Sequence, residues 1–243
     1  MRQAVLAGLM AATVVTGGCA RGRAEDAGPM VERNYAVGAF DKIELAGAYD
    51  ATVRTGSAPS VHAKGGENVL EKLVVEVKDG ALHVYPKKRS GFSWNWGHKG
   101  NSKVELVITV PSLRSAELAG SGGIRIDKVA GDAFEGSVAG SGDLTVDQVE
   151  VGSLNLSIAG SGDAKAGGGK AKTVSYEIAG SGGIDAKGVV AEDADVSIAG
   201  SGGVSVHATR AAKVSIAGSG DVDLTGGAKC TTSKVGSGDV RCS

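Results

Sequence analysis

The tetrapeptide Ala-Gly-Ser-Gly begins at Ala119, Ala139, Ala159, Ala179, Ala199 and Ala217, and a variant, Val-Gly-Ser-Gly, begins at Val235. The first five copies are 20 residues apart and the last two steps are 18. A period of this length constrains the fold more than any single motif does. Each repeat is too small to enclose a core and must bury its apolar face against the next repeat.

The residues between the copies say what one repeat builds. From Asp143 to Ala159 the apolar positions are Leu144 and Val146, then Val149 and Val151, then Leu154, Leu156 and Ile158. Each group alternates with period two, the mark of a strand with one buried side. The parity slips after Val146 and again after Val151, so the chain turns at both places. Three short strands and three corners close one coil. Later repeats keep this register with Ala164, Ala166, Val174, Tyr176 and Ile178, then Ile184, Ala186, Val189, Ala194, Val196 and Ile198. The sequence therefore predicts an all-β chain, a parallel β-helix with coils of about 20 residues. Its strands would stack about 4.8 Å apart into a rod roughly 35 Å long. With 40 glycines but only 2 Trp, 4 Tyr and 3 Phe, the core must be built from small aliphatic side chains.

In this setting the glycines are corners. The pairs Gly120/Gly122, Gly140/Gly142, Gly160/Gly162, Gly180/Gly182, Gly200/Gly202, Gly218/Gly220 and Gly236/Gly238 flank a serine at each turn. A sharp bend between stacked strands needs positive φ or close backbone approach, and only glycine supplies both without a Cβ penalty. A phosphate cradle would require a helix after the glycines, and here strands follow. The residue after each corner reads Gly123, Asp143, Asp163, Gly183, Gly203, Asp221 and Asp239. Asp143/Asp163 and Asp221/Asp239 are thus weak candidates for Ca²⁺, which takes six to eight oxygens. The spacing does not match the nonapeptide of calcium-binding β-rolls.

The N-terminal half, residues 36–118, is less regular than the repeats of 119–243. Ala46-Gly47-Ala48-Tyr49 reads as a degenerate corner, placing the first coil near Phe40. Val74–Val77 and Ala81–Tyr85 flank Asp79-Gly80, a hairpin signal, and Glu67–Leu73 has room for one helical turn. Val104, Leu106, Ile108 and Val110 alternate into Pro111. Residues 87–101 hold Phe92, Trp94 and Trp96 among glycines and polar residues, a loop that either binds a sugar or membrane headgroups or folds back over the helix.

Residues 1–18 have the zones of a secretory signal: Arg2, an apolar run from Ala4 to Val15, and small residues before Cys19. The run is too short to span a bilayer comfortably. The ending resembles a bacterial lipobox, with Thr16 where Leu is usual, so Cys19 is the expected lipidation site. Ala20 after it favours the outer membrane over inner-membrane retention, by resemblance to Gram-negative lipoproteins. Residues 19–35 then form a polar tether, and 36–243 the head domain. Export leaves Cys230 and Cys242 as an even pair where disulfides persist. A disulfide is the default reading, and a free pair or a metal site are the alternatives.

The FDKIELAG opening, the VEVKDGALHVYPKK hairpin, the VELVITVPSLRSAELAGSG entry and the serial GSGD corners together resemble the bacterial GIN-domain family of auto-transporter adhesin heads, over about residues 36–241. The resemblance implies a right-handed β-helix on exported proteins, similar in shape to pectate lyases without their catalytic residues, and an adhesive role. The cysteine pair and the tryptophan stretch depart from the family's pattern.

A lyase on such a helix needs a basic proton abstractor beside clustered carboxylates or calcium. Arg125, Lys165, Lys187 and Arg210 are candidate bases, but Asp127, Asp147, Asp185 and Asp223 are scattered like ordinary outward-facing residues. The expected protein is therefore a noncatalytic envelope lipoprotein, structural, adhesive or ligand-binding, with no cofactor. A carbohydrate-active β-helix and an envelope signalling accessory domain are the alternatives. The expected partners are the membrane, through Cys19, and a glycan or envelope protein. A formal net charge of -1 gives no field for nucleic acid, and polar residues near the C-terminus, including Lys234 at an otherwise apolar repeat position, favour a monomer.

Overall fold

A computed structural model describes residues 25–87, 98–99 and 103–243. The chain is a parallel β-solenoid of about 6 turns, with coils about 20 residues apart. Gly123–Gly140, Asp143–Gly160, Asp163–Gly180, Gly183–Gly200 and Gly203–Gly218 are successive coils, each laddered to the next in parallel. Pairing skips Asp147 and Gly152 in the second of these, the two places where the apolar parity slips. The coil Gly203–Gly218 is two residues shorter than its neighbour, and the register shifts between Ala186 and Val190 and between Ala191 and Asp193 absorb the difference.

The two glycines of each corner do different work. The first, such as Gly140 at φ 128°, lies in a region that side-chain-bearing residues rarely enter. The second, such as Gly142, has ordinary φ, but a Cβ there would lie 2.4 Å from the carbonyl oxygen of Gly122 on the preceding coil. That closeness comes from the ladder continuing around the bend: the Ser141 N–H donates to Gly120 O at 2.9 Å, Ser161 to Gly140 at 2.8 Å and Ser181 to Gly160 at 2.9 Å.

The two glycines thus meet two separate demands, positive φ at the first and close backbone approach at the second. Gly162, Gly182, Gly202 and Gly220 are buried, like Gly142, and none of them has positive φ. A Cβ on any of the four would run into the carbonyl oxygen of its counterpart one coil earlier, respectively Gly142, Gly162, Gly182 and Gly202. It would also press on a core side chain, Val138, Ile158, Ile178 or Ile198 in the same order. These second glycines therefore belong to the packed interior of the stack, and the first glycine alone makes the bend.

Elsewhere inside, side-chain volumes compensate between layers. Phe134, Leu154, Val174, Ala194 and Ala212 form one inward column, and Gly136, Leu156, Tyr176, Val196 and Val214 form the column two residues on. Where the first column carries Phe134 the second carries Gly136, whose Cβ would meet Leu144 at 2.5 Å and Leu156 at 2.8 Å. Where the second carries Tyr176, the same coil shrinks elsewhere: Leu144, Val146, Val149 and Val151 become Ala164, Ala166, Gly169 and Ala171. Tyr176 is thereby accommodated at 0% exposure. Close packing at constant volume selects such pairs.

Below the regular coils the same stacking continues. Lys42–Gly47 pairs in parallel with Ser115–Gly120, and Tyr49–Thr55 with Gly123–Ile126. This sets Ala46-Gly47 directly beneath Ala119-Gly120, with Gly47 at φ 138°. The hairpin Leu73–Lys78/Ala81–Pro86 pairs with Lys42–Leu45, and positive φ at both Asp79 and Gly80 makes its turn the type whose twist suits antiparallel strands. Val104–Val110 lies parallel to Tyr49–Thr55 and antiparallel to Ser60–Gly66. The short helix Glu67–Leu70 buries Val69 and Leu70 against this end of the core.

One boundary differs from the sequence reading. The expected tether extends to residue 35, yet Met30–Tyr35 is a strand paired antiparallel with Ser60–Gly66 over its full length. Before it, Ala27 is buried, its carbonyl accepts the Asn68 N–H at 3.1 Å, and Pro29 O accepts the Glu67 N–H at 2.9 Å. Met30–Tyr35 is polar on one side and half-buried on the other, so its strand character comes from a partner some 30 residues away and not from its own pattern.

At the opposite end the inward columns turn polar. Cys230, Thr232 and Lys234 stack on Ala212, Val214 and Ile216, and Cys242 stacks on Leu224. A Cys230–Cys242 disulfide closes this last coil, and the Lys234 Nζ donates to Gly238 O at 2.5 Å. Replacing aliphatic residues by polar ones where no further coil follows removes the apolar template for another layer.

Candidate functional site

The repeated corners are poorly equipped to hold a ligand. The serine N–H groups that a phosphate would need are spent on the glycine carbonyls of the preceding coil. Asp163 and Asp221, two of the four corner aspartates, have similar local duties. Asp163 Oδ1 accepts the Gly183 N–H at 2.8 Å, and Asp221 Oδ1 accepts the Asp239 N–H at 2.8 Å. Asp143 is the register neighbour of Asp163, but among the described residues no group of three or more His, Cys, Asp or Glu could hold a metal ion. The geometry is that of a carboxylate stapling one corner to the next.

Two of the four candidate bases for a lyase, Arg125 and Arg210, are likewise engaged. Arg125 pairs with Asp147 at 2.9 Å across adjacent coils, and Arg210 pairs with Asp193. Asp127 accepts the Thr55 N–H at 3.0 Å and the Thr55 hydroxyl at 3.1 Å, tying the first full coil to the strand beneath it. Lys165 and Asp185 are register neighbours on successive coils. Over residues 27–87 and 103–243 no Asp, Glu, Lys, Arg or His is buried. A general acid or base is usually tuned by desolvation, and these groups keep their contact with water. The hydrogen bond from Lys103 to Asp50 raises the Lys103 ammonium above its ordinary range.

The strongly displaced groups are tyrosines of the core. Burial pushes the Tyr49 hydroxyl up to about 12 and raises Tyr176 as well. Tyr49 occupies the place that Gly122 takes one coil later, and its ring lies against Gly47.

One concave feature of the described surface is an open groove of about 550 Å³ at one edge of the first corners. Its lining is Ala46, Gly47, Ala48, Pro86, Ala119, Gly120, Ser121, Gly140 and Ser141. It exists because the hairpin strand follows Lys42–Leu45 in register only as far as Val84. Tyr85 and Pro86 then leave the stack, and the corner column above Ala46 is uncovered on that side. The groove offers small apolar side chains, backbone and two hydroxyls, with no charged side chain in its lining. Sequence reasoning missed it. The degenerate corner at Ala46–Tyr49 and the proline closing the hairpin are both visible in the sequence, but their adjacency is not.

Cys19, Phe92, Trp94 and Trp96 lie outside the described residues. The flanks of the tryptophan stretch are described. The Lys87 N–H donates to Lys72 O at 2.7 Å, and His98–Lys99 pairs in parallel with Glu25–Asp26.

Comparison with known proteins points the same way as the coils. The family model described as "Putative auto-transporter adhesin, head GIN domain" matches residues 39–228. No curated protein matches the chain. Among solved structures, a "putative adhesin" from Bacteroides fragilis superposes with a TM-score of 0.78 at 21% identity, covering 88% of this chain and 97% of that one. A "putative lipid binding protein" from Parabacteroides distasonis gives 0.74 at 27% identity over 90% and 98%. A "putative adhesin" from Parabacteroides merdae gives 0.71 at 20% identity over 90% and 98%.

Proposed function

Because the chain belongs to the family of auto-transporter adhesin heads with a GIN domain, we propose that it is a noncatalytic binding head of a bacterial cell envelope, held to the membrane through a lipid on Cys19. The observation that carries this reading is the state of its ionisable groups. The carboxylates and cations of the coils sit in solvent, and Asp163, Asp221, Arg125 and Arg210 among them are spent on corner N–H groups or on ion pairs between coils. Such an arrangement stiffens a scaffold and, over residues 27–87 and 103–243, leaves no desolvated acid or base for lyase chemistry. A rigid solenoid presents its surface with little ordering cost on binding, which suits an adhesive role.

The groove at Ala46, Pro86 and Ala119 is where this head would take a ligand, by its apolar lining. The "lipid binding" description of the Parabacteroides distasonis neighbour, at 27% identity, supports an apolar group as part of that ligand. A glycan presenting its apolar face, or an envelope protein, meets the same chemistry.

The test is a glycan array and a pull-down from envelope fractions, with the soluble chain beginning after Cys19. Ala119→Trp would fill the groove from an exposed position, and Ala199→Trp is its control in the same column, four coils on. Loss of binding in the first and retention in the second is the expected result. A Trp94→Ala/Trp96→Ala variant separates the aromatic stretch from the groove. No binding by the unmodified chain to any glycan or envelope component would overturn the adhesive reading.

A further inference from the structure

We infer that the N-terminal cap of the solenoid is the end that faces the lipid surface, with the disulfide-closed coil pointing away from it. This rests on the lipidation of Cys19 proposed above, and concerns which part of the molecule that anchor brings to the membrane.

The first support is where the chain joins the folded body. Ala27 is 3% exposed and lies against the cap, close enough that a Cβ on Gly66 would fall 2.3 Å from its carbonyl oxygen. Its hydrogen bond from Asn68, the bond from Glu67 to Pro29, and the strand Met30–Tyr35 fix the chain there. From Cys19 to Ala27 is eight residue steps, so the covalent reach is at most about 29 Å however the intervening chain is arranged. From the hairpin strand Leu73–Lys78 to the last coil Lys229–Gly236 the ladder takes nine steps, roughly 43 Å at strand spacing. The tether is shorter than the rod and begins at one end of it.

Such a tether still permits the rod to lie flat, and the side faces decide against that. A face that lies on a membrane needs a continuous apolar surface or an excess of cations. Among the described residues the exposed large hydrophobics are Met30, Val190 and Val235. Met30 belongs to the cap itself, Val190 to a middle coil and Val235 to the last, so no side face gathers them. Cations on the coils are offset by carboxylates, as in Arg125–Asp147, Lys170–Glu150 and Arg210–Asp193. The formal charge of the whole chain is -1.

The consequence for function is that the groove beside Pro86 sits near the membrane, while the C-terminal corners are the part presented outward.

The experiment uses the full lipidated chain in phosphatidylcholine vesicles that carry an energy-transfer acceptor on the headgroup. A donor dye is placed at Lys78→Cys, on the exposed cap hairpin, or at Ser237→Cys, on the exposed last corner. Transfer severalfold stronger from position 78 than from position 237 is expected. Equal transfer, or stronger transfer from 237, would overturn the orientation. Cys19→Ser in the same vesicles separates the two readings: loss of vesicle binding upholds the anchor, whereas unchanged binding refutes the anchor whatever the dyes report.

Discussion

Replacing Tyr176 by Phe should make this protein more stable. Tyr176 is 0% exposed, and its hydroxyl oxygen has no hydrogen-bond partner among the described residues. A buried hydroxyl without a partner costs about 1–3 kcal/mol in lost solvation. Deleting it forfeits the dispersion contacts of one oxygen atom, about a few tenths of a kcal/mol. The net gain is therefore about 1 kcal/mol, which for a chain of this size moves Tm upward by about 2–4 °C. Tyr176→Leu is the contrasting variant. It copies Leu156 from the coil before, but into a layer where Ala164, Ala166, Gly169 and Ala171 have already given up their volume. The void should cost about 2–4 kcal/mol.

Urea unfolding with a common slope measures both differences. The pH dependence adds a sharper signature. Burial raises the tyrosine hydroxyl in the folded protein above its ordinary value of 10.0. The unfolded chain therefore releases this proton first, and the stability present below pH 10 falls as pH rises above it, by about 1.4 kcal/mol per pH unit for each such tyrosine. Tyr49, pushed to about 12, behaves alike. The advantage of Tyr176→Phe should thus widen between pH 10 and 11. A Phe variant no more stable than the parent at pH 7 would show that the hydroxyl is satisfied, and the reasoning would fail.

Four other outcomes follow from the coils. Gly142→Ala, whose Cβ would meet Gly122 O at 2.4 Å, should lose more than about 3 kcal/mol, while Gly38→Ala, with nothing within 4 Å, should stay within about 0.5 kcal/mol in the same denaturation assay. Asp163→Ala removes the acceptor for the Gly183 N–H and should cost about 1 kcal/mol, more than Asp223→Ala, for which no such bond is seen. Reducing Cys230–Cys242 should speed amide exchange across residues 229–243 before any other segment, and uniform exchange would refute the end-closing role. Cys19→Ser should release the protein from the membrane fraction, and unchanged partitioning would refute the anchor.

Much of the coil was legible because its determinants are local. The parity slips after Val146 and Val151 mark the corners that the ladder skips, and Asp79-Gly80 specifies its own turn by backbone conformation. The degenerate corner at Ala46-Gly47 was readable for the same reason: positive φ demands glycine wherever the bend occurs. The second glycine of each corner was visible as a glycine but not as a buried one, because the oxygen that excludes its Cβ belongs to the coil before. The corner aspartates were harder. Their spacing admits a cation site, and only the positions of Gly183 N and Asp239 N reveal that the carboxylates of Asp163 and Asp221 are already used.

By itself, then, the sequence determined the period, the strand character, the corners and the inward columns, since alternation and glycine placement are properties of residues near one another along the chain. Tertiary structure decided what depends on distant segments. Met30–Tyr35 is a strand because Ser60–Gly66 offers its edge. The groove exists because Pro86 departs from the stack beside a corner that lies some forty residues before it and another some thirty-five after it. Tyr176 fits because four positions of its own coil are small at once. Stacking brings these partners together, and no periodicity encodes the shape of the space left between them.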